Sequence, residues 1–207
     1  MDTETASVVV GMKHLVADAS ALRLAAREAA WSGSRLRVVH AFTWPVFGSP
    51  GDDRERDENT VERAAAHARA MFPGLAATAE VIDGAPIPVL LRAASEASLL
   101  VLGSSGLARS WAEPLESVSV QVAVRATAPV LFARGVDRPG PVVAGVDGLI
   151  EESRAAQLVV VGGQGDRPTL LGPATQTVLR HAYCPVLVAH ARLVPEPARK
   201  ANQLLAR

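Results

Sequence analysis

The sequence predicts an α/β protein. It reads as a flavodoxin-like, Rossmann-like parallel sheet of five strands in the order 3-2-1-4-5, plus a truncated second α/β half-domain. Three observations predict this. Short, almost wholly apolar runs alternate with segments whose apolar residues fall on one helical face. Two of those runs reach a glycine at their carboxyl end, Gly11 and Gly103. The C-terminal third echoes parts of what precedes it.

Taken in order, residues 7–12 (SVVVGM) form a β-branched run of buried-strand type. Residues 19–31 place Leu22, Ala25, Ala26 and Ala29 on one helical face. Residues 35–42 (RLRVVHAF) read as the second strand. Residues 43–59 read as a loop, because they hold prolines, glycines and the acidic cluster DDRERDE at 52–58. Asn59 and Glu62 have capping-box spacing, which opens a helix ending near Met71. Residues 76–82 give strand three, 87–97 a helix, and 98–102 strand four. A glycine-containing loop follows at 103–115, then a helix at 116–126 and strand five at Pro129–Ala133.

The repeat comes in three collinear pieces. VVAGVDG at 142–148 echoes VVVGMKH at 8–14; residues 149–165 echo 90–106; residues 172–189 echo 116–133. The second copy therefore holds counterparts of strands one, four and five alone. In the order 3-2-1-4-5 those strands are neighbours, so the deletion removes one edge and leaves a contiguous half-sheet. Such a half-sheet exposes apolar margins and needs a partner. The expected division is a complete domain at 6–136, a truncated domain at 140–191 and a tail at 192–207.

Composition excludes several classes. The 21 Lys and Arg residues balance 21 Asp and Glu, which argues against a phosphate-neutralising nucleic-acid binder. One cysteine, Cys184, permits no intrachain disulfide and no thiolate zinc cage; burial as a small hydrophobe is its expected role. The five histidines lack metal-site spacing, so surface or packing roles are expected, with His14 set apart by its place beside strand one. No apolar run is long enough to span a bilayer. The opening MDTETAS is acidic and carries no apolar leader segment, so a cytoplasmic protein is expected.

A parallel sheet of this kind takes ligands beyond the carboxyl ends of its strands, here Gly11–His14, Ala41–Trp44 and Gly103–Gly106. The first glycine loop reads Gly103-Ser-Ser-Gly106, nine residues, then Glu116-Ser117. The second reads Gly162-Gly-Gln-Gly165, six residues, then Gly172-Pro173. With the Val143-Ala-Gly145-Val-Asp147-Gly148 turn, these motifs resemble the universal stress protein family in its tandem form. The ATP-binding members of that family carry G-x2-G-x9-G-[ST] after strand four. The first copy keeps the spacing with Glu116 at the third glycine, and has Lys13 where the family has Asp.

The resemblance implies an adenine-nucleotide site at Gly11, Lys13, Ala41, Leu102, Gly103, Gly106, Glu116, Ser117, Val118 and Ser119, with ATP as the cofactor. It also implies domain pairing through strand five, here strands Pro129–Ala133 and Pro185–Ala189 within the chain, and a homodimer. Glycines in such a loop let backbone N–H groups approach phosphate, and the next helix adds its positive end. A carboxylate at Glu116 would compete there: like charges about 4 Å apart repel by about 4 kcal/mol at an effective dielectric of about 20. Lys13 would then either pair with Glu116 or grip a phosphate itself. Two readings follow. One is a stress-response regulatory or interaction module, not an enzyme, with a degenerate nucleotide site. The other is an adenine-nucleotide binder with at most slow hydrolysis. No general base or metal-binding carboxylate is evident in the sequence beside these residues.

Overall fold

The computed structural model describes residues 7–44, 50–104, 117–145, 149–163 and 171–190. Its elements run β1 (Ser7–Gly11), α1 (Ala19–Ser32), β2 (Arg35–Phe42), α2 (Pro50–Met71), β3 (Ala77–Asp83), α3 (Pro86–Ser95), β4 (Ala97–Gly103), α4 (Val118–Arg125), β5 (Val130–Ala133), β6 (Val142–Ala144), α5 (Leu149–Glu152), β7 (Leu158–Gly162), α6 (Pro173–His181) and β8 (Val186–Ala189). One eight-stranded sheet collects all strands in the order β3-β2-β1-β4-β5-β8-β7-β6. The first five stand in the expected order. The last three follow as the counterparts of strands five, four and one.

Every neighbouring pair is parallel except the central seam. There β5 meets β8 antiparallel, with Val130 opposite Val188, Leu131 opposite Leu187 and Phe132 opposite Val186. The expected pairing of the two terminal strands thus occurs inside one chain. It joins two parallel half-sheets without leaving either β5 or β8 as a bare edge.

Two apolar layers sandwich the sheet. Residues of α1 and α2, such as Leu22, Ala26 and Ala65, pack with Val8, Val10 and Val38 on one face. Residues of α3, α4 and α6, such as Leu90, Val122 and Leu179, pack with Val9, Phe132, Val159 and Val186 on the other. That second layer runs across the seam, so both copies share one core. Cys184 lies in it, wholly buried, and burial pushes its thiol pKa up. Arg134 leaves β5 to bond the carbonyls of Arg180 and Ala182 at the end of α6, where a cation complements the helix dipole.

The repeat is visible in detail. Ser119 Oγ lies 3.5 Å from the carbonyl of Gly103, and its counterpart Thr175 donates to the carbonyl of Gly162 at 2.9 Å. Each hydroxyl pins the helix after the glycine loop to the end of the strand before it. At the far edge, β6 has no counterpart of β2 beside it among the described residues, and Val142 is 53% exposed.

One expectation fails. The acidic cluster is not loop: it is the first half of α2, which begins at Pro50 and carries Asn59 and Glu62 in its interior. The physical reason is twofold. Asp52 and Asp53 occupy the first turn, where the helix dipole favours them, and Asp53–Arg56 and Arg54–Glu58 pair at helical spacing. Tertiary ties then fix the segment: Arg54 binds Asp83 at the end of β3, and its guanidinium lies 5.5 Å from the centre of the Phe42 ring. The helix after the glycine loop is described from Val118, and the tail beyond residue 190 lies outside the described residues.

Candidate functional site

The carboxyl ends of β1, β2 and β4 and the start of α4 surround a cleft of about 740 Å³. It lies where the chain reverses direction across the sheet, between β1 and β4. Its wall is aliphatic: Val39, Ala41, Pro86, Leu90, Leu102 and Val118. Its rim is polar: Lys13, His14, His40, Thr43, Asp57, Ser117 and Ser119. Gly11 keeps the floor low, since a Cβ there would sit 2.8 Å from side-chain carbons of both Leu90 and Leu102.

Of the residues named from the sequence, Gly11, Lys13, Ala41, Leu102, Gly103, Ser117, Val118 and Ser119 all line this one cleft. Gly106 and Glu116 lie outside the described residues, and so does the Lys13–Glu116 pairing.

The turn after β1 is shaped by Asp18, which sits at the N-cap of α1 and is 6% exposed. Its Oδ2 does not cap its own helix. It turns back to accept the N–H groups of Lys13 at 2.8 Å and His14 at 3.0 Å. Those donors are therefore occupied from within, while the side chains of Lys13 and His14 are exposed on the rim. An anion reaching this end of the cleft meets the Lys13 ammonium, not a free backbone nest.

Ser117 is the most telling rim residue. It is the N-cap of α4, yet its hydroxyl caps nothing. Its Oγ is buried and has no hydrogen-bond partner among the described residues. A buried hydroxyl without a partner carries a desolvation penalty of about 1–3 kcal/mol.

Sequence reasoning missed three polar residues here. Asp57 falls in the segment that the sequence reads as loop, and Asp18 belongs to no motif; both carboxylates line the cleft. His40 reads in the sequence like the other histidines. Its Nδ1 lies 2.8 Å from the Met12 carbonyl and its Nε2 lies 3.0 Å from Asp57 Oδ2. Strand alternation held the clue: His40 precedes Ala41 and must face the layer that α2 covers. Both ring nitrogens thus face oxygen acceptors, and which of them donates depends on the tautomer. Among the described residues no group of three or more His, Cys, Asp and Glu side chains is placed to hold a metal ion.

The family model described as "Universal stress protein family" matches residues 5–134 and again 141–190, which is most of the chain. The chain belongs to the universal stress protein family. The two matched segments agree with its tandem form. Among curated relatives, "Universal stress protein Rv2005c" of Mycobacterium tuberculosis and "Universal stress protein Mb2028c" of Mycobacterium bovis are each 29% identical over 160 residues, covering 68% of this chain and 54% of the relative. This universal stress protein thus spans about half the length of the curated relatives it matches. Among solved structures, a universal stress protein from Archaeoglobus fulgidus covers 89% of this chain and 96% of its own with a TM-score of 0.67; at 15% identity it shows the shared fold alone. A second, described as a universal stress protein in complex with cAMP, is 28% identical with a TM-score of 0.51, covering 63% of this chain and 97% of its own. No helix among the described residues is long and apolar enough to cross a membrane.

Proposed function

We propose that this universal stress protein binds an adenine nucleotide in the cleft between β1 and β4 and works as a nucleotide-responsive regulatory module, not as an enzyme. The observation that carries the reading is the buried, unpartnered Ser117 hydroxyl at the start of α4. The cleft volume is within the range of pockets that enclose ligands of this size. Its aliphatic wall suits the flat base, and Thr43 and Asp57 stand where sugar hydroxyls can bond. The phosphate falls to Ser117, to the N–H groups opening α4 and to the Lys13 ammonium. The complex of a relative with cAMP supports the same class of ligand. Catalysis has little support in the cleft, because His40 and Asp57 are tied to one another and Asp18 is spent on the turn of β1.

A second reading is a degenerate site that stays empty, with the protein acting through its surfaces. It draws on Asp18, which occupies the two N–H groups after β1, and on Glu116 in place of glycine. Under either reading a second copy could cover the exposed β6 margin, as a homodimer. Isothermal calorimetry with ATP, ADP and cAMP, with and without Mg²⁺, decides between the two. Micromolar binding of any of them supports the nucleotide reading; a flat titration at millimolar ligand leaves the empty-site reading in its place.

A further inference from the structure

One face of the second half-sheet lacks the cover that the first copy has. Val8 and Val10 of β1, Val101 of β4, and Leu131 and Ala133 of β5 are buried in the layer that α1 closes with Leu22, Ala25, Ala26 and Ala29. Their counterparts in the repeat are Val142 and Ala144 of β6, Val160 of β7, and Leu187 and Ala189 of β8. Val142 and Ala144 are exposed, and the other three are only partly buried. The cause lies in the sequence. The second copy passes from β6 to α5, the counterpart of α3, so the stretch that would supply an α1 is the deleted one.

What fits this face follows from what covers the first one: a short amphipathic helix with a stripe of alanine and leucine. The chain carries such a pattern. The described residues end at His190, directly after β8, and the sequence continues to Arg207. Over 198–207 (ARKANQLLAR), Ala198, Ala201, Leu204 and Leu205 recur at the spacing of one helical face. Arg199, Lys200, Gln203 and Arg207 fall on the opposite face. Pro197 stands where a helix would open.

The lengths agree as well. A helix over 197–207 is about 16 Å long, and the strand length of β7 is also about 16 Å. Residues 191–196, fully extended, reach up to about 20 Å, enough to bring the helix start to either end of the strands. A helix this short is marginal in water, so it needs an apolar surface to form on. The bare face needs a cover of the same dimensions.

We propose that residues 197–207 dock as a helix across β6, β7 and β8, on the face bearing Val142, Val160 and Leu187, in the place that α1 holds in the first copy. The inference does not depend on what the cleft binds.

Cysteine trapping in the full chain tests the placement, with the wholly buried Cys184 left as it is. Val160→Cys combined with Ala201→Cys sets one thiol mid-face and the other on the apolar stripe. Mild oxidation should close an intrachain disulfide, read by intact mass and by resistance to alkylation. Val160→Cys combined with Gln203→Cys has nearly the same tether but the opposite helix face, and should close about tenfold more slowly. Equal rates in the two pairs overturn the proposal. So do disulfides formed chiefly between chains, which would seat a second copy on this face.

Hydrogen–deuterium exchange of the wild type supplies a readout that leaves the sheet untouched. Amides of 198–207 should exchange about tenfold more slowly than their intrinsic rate. The double variant Leu204→Asp, Leu205→Asp should lose that protection, and Arg199→Ala should keep it. Exchange at the intrinsic rate in the wild type, or protection that survives the double variant, overturns the docking.

Discussion

Phe132 of β5 stands opposite Val186 of β8, both wholly buried, at the seam where two parallel half-sheets meet antiparallel. The ring belongs to the apolar layer that also holds Val122 of α4 and Leu179 of α6. It is therefore core to both copies at once. Phe132→Ala should destabilise the chain by about 3–5 kcal/mol, the usual loss for a buried aromatic ring. Because the core is shared, the melt should stay a single transition at a lower Tm. Calorimetry showing two separated transitions would mean that the halves fold independently across the seam.

Gly135 follows β5 with φ 60°, and a Cβ there would run into the Tyr183 carbonyl. Gly33, the C-cap of α1, has nearly the same φ of 64° but open space around it. The pair separates backbone strain from crowding. Gly33→Ala should cost about 1–2 kcal/mol, the left-handed penalty alone. Gly135→Ala should cost about 3 kcal/mol or more, since the chain beside Tyr183 must also move. Urea unfolding of both variants measures the difference directly; equal losses would show that Tyr183 yields freely.

Much of this fold was legible in the sequence because it is written in apolar runs. SVVVG, VVHAF and LLVLG are nearly continuous because both faces of a parallel sheet are covered, and the copied pieces around Gly145, Gly162 and Pro185 gave the second half. The wall of the cleft was legible for the same reason, since strand ends at Gly11, Ala41 and Gly103 define it. The polar rim was less so. Residues 52–58 look like loop because they are charged throughout, and their helix is secured by partners distant in sequence: Asp83 for Arg54, His40 for Asp57. Asp18 serves the turn before it and not the helix after it, which no capping pattern announces.

Arg37 and Glu80 supply an acid-sensitive link between β2 and β3. The Arg37 guanidinium donates to both oxygens of Glu80, each at 2.8 Å. This hydrogen bonding holds the Glu80 carboxyl below its ordinary value, against the opposing effect of burial. A carboxyl with a lowered folded-state pKa adds stability that is present above its unfolded value of about 4.3 and lost as pH falls through the folded value. Glu80→Gln should therefore be less stable than the wild type at pH 7 and should converge with it as pH drops below about 4. Denaturant unfolding between pH 3 and pH 7 checks this; parallel curves throughout would show that the pair adds no pH-dependent stability.

Ser117 should separate stability from ligand binding. Its Oγ is buried without a partner among the described residues, so the free protein carries an unmet hydroxyl at the mouth of the cleft. Removing that oxygen relieves the penalty, and Ser117→Ala should be as stable as the wild type or up to about 1–2 kcal/mol more stable when no nucleotide is present. In the nucleotide reading the same change deletes a donor to phosphate. Affinity should then fall by about tenfold, the usual weight of one hydrogen bond to a charged group. Thermal melts without ligand and calorimetry with it must therefore move in opposite directions. A variant that loses stability without ligand would place the Ser117 hydroxyl in the packing of α4, as Ser119 and Thr175 are placed on their strands. The proposed phosphate contact would then have lost the observation that supports it.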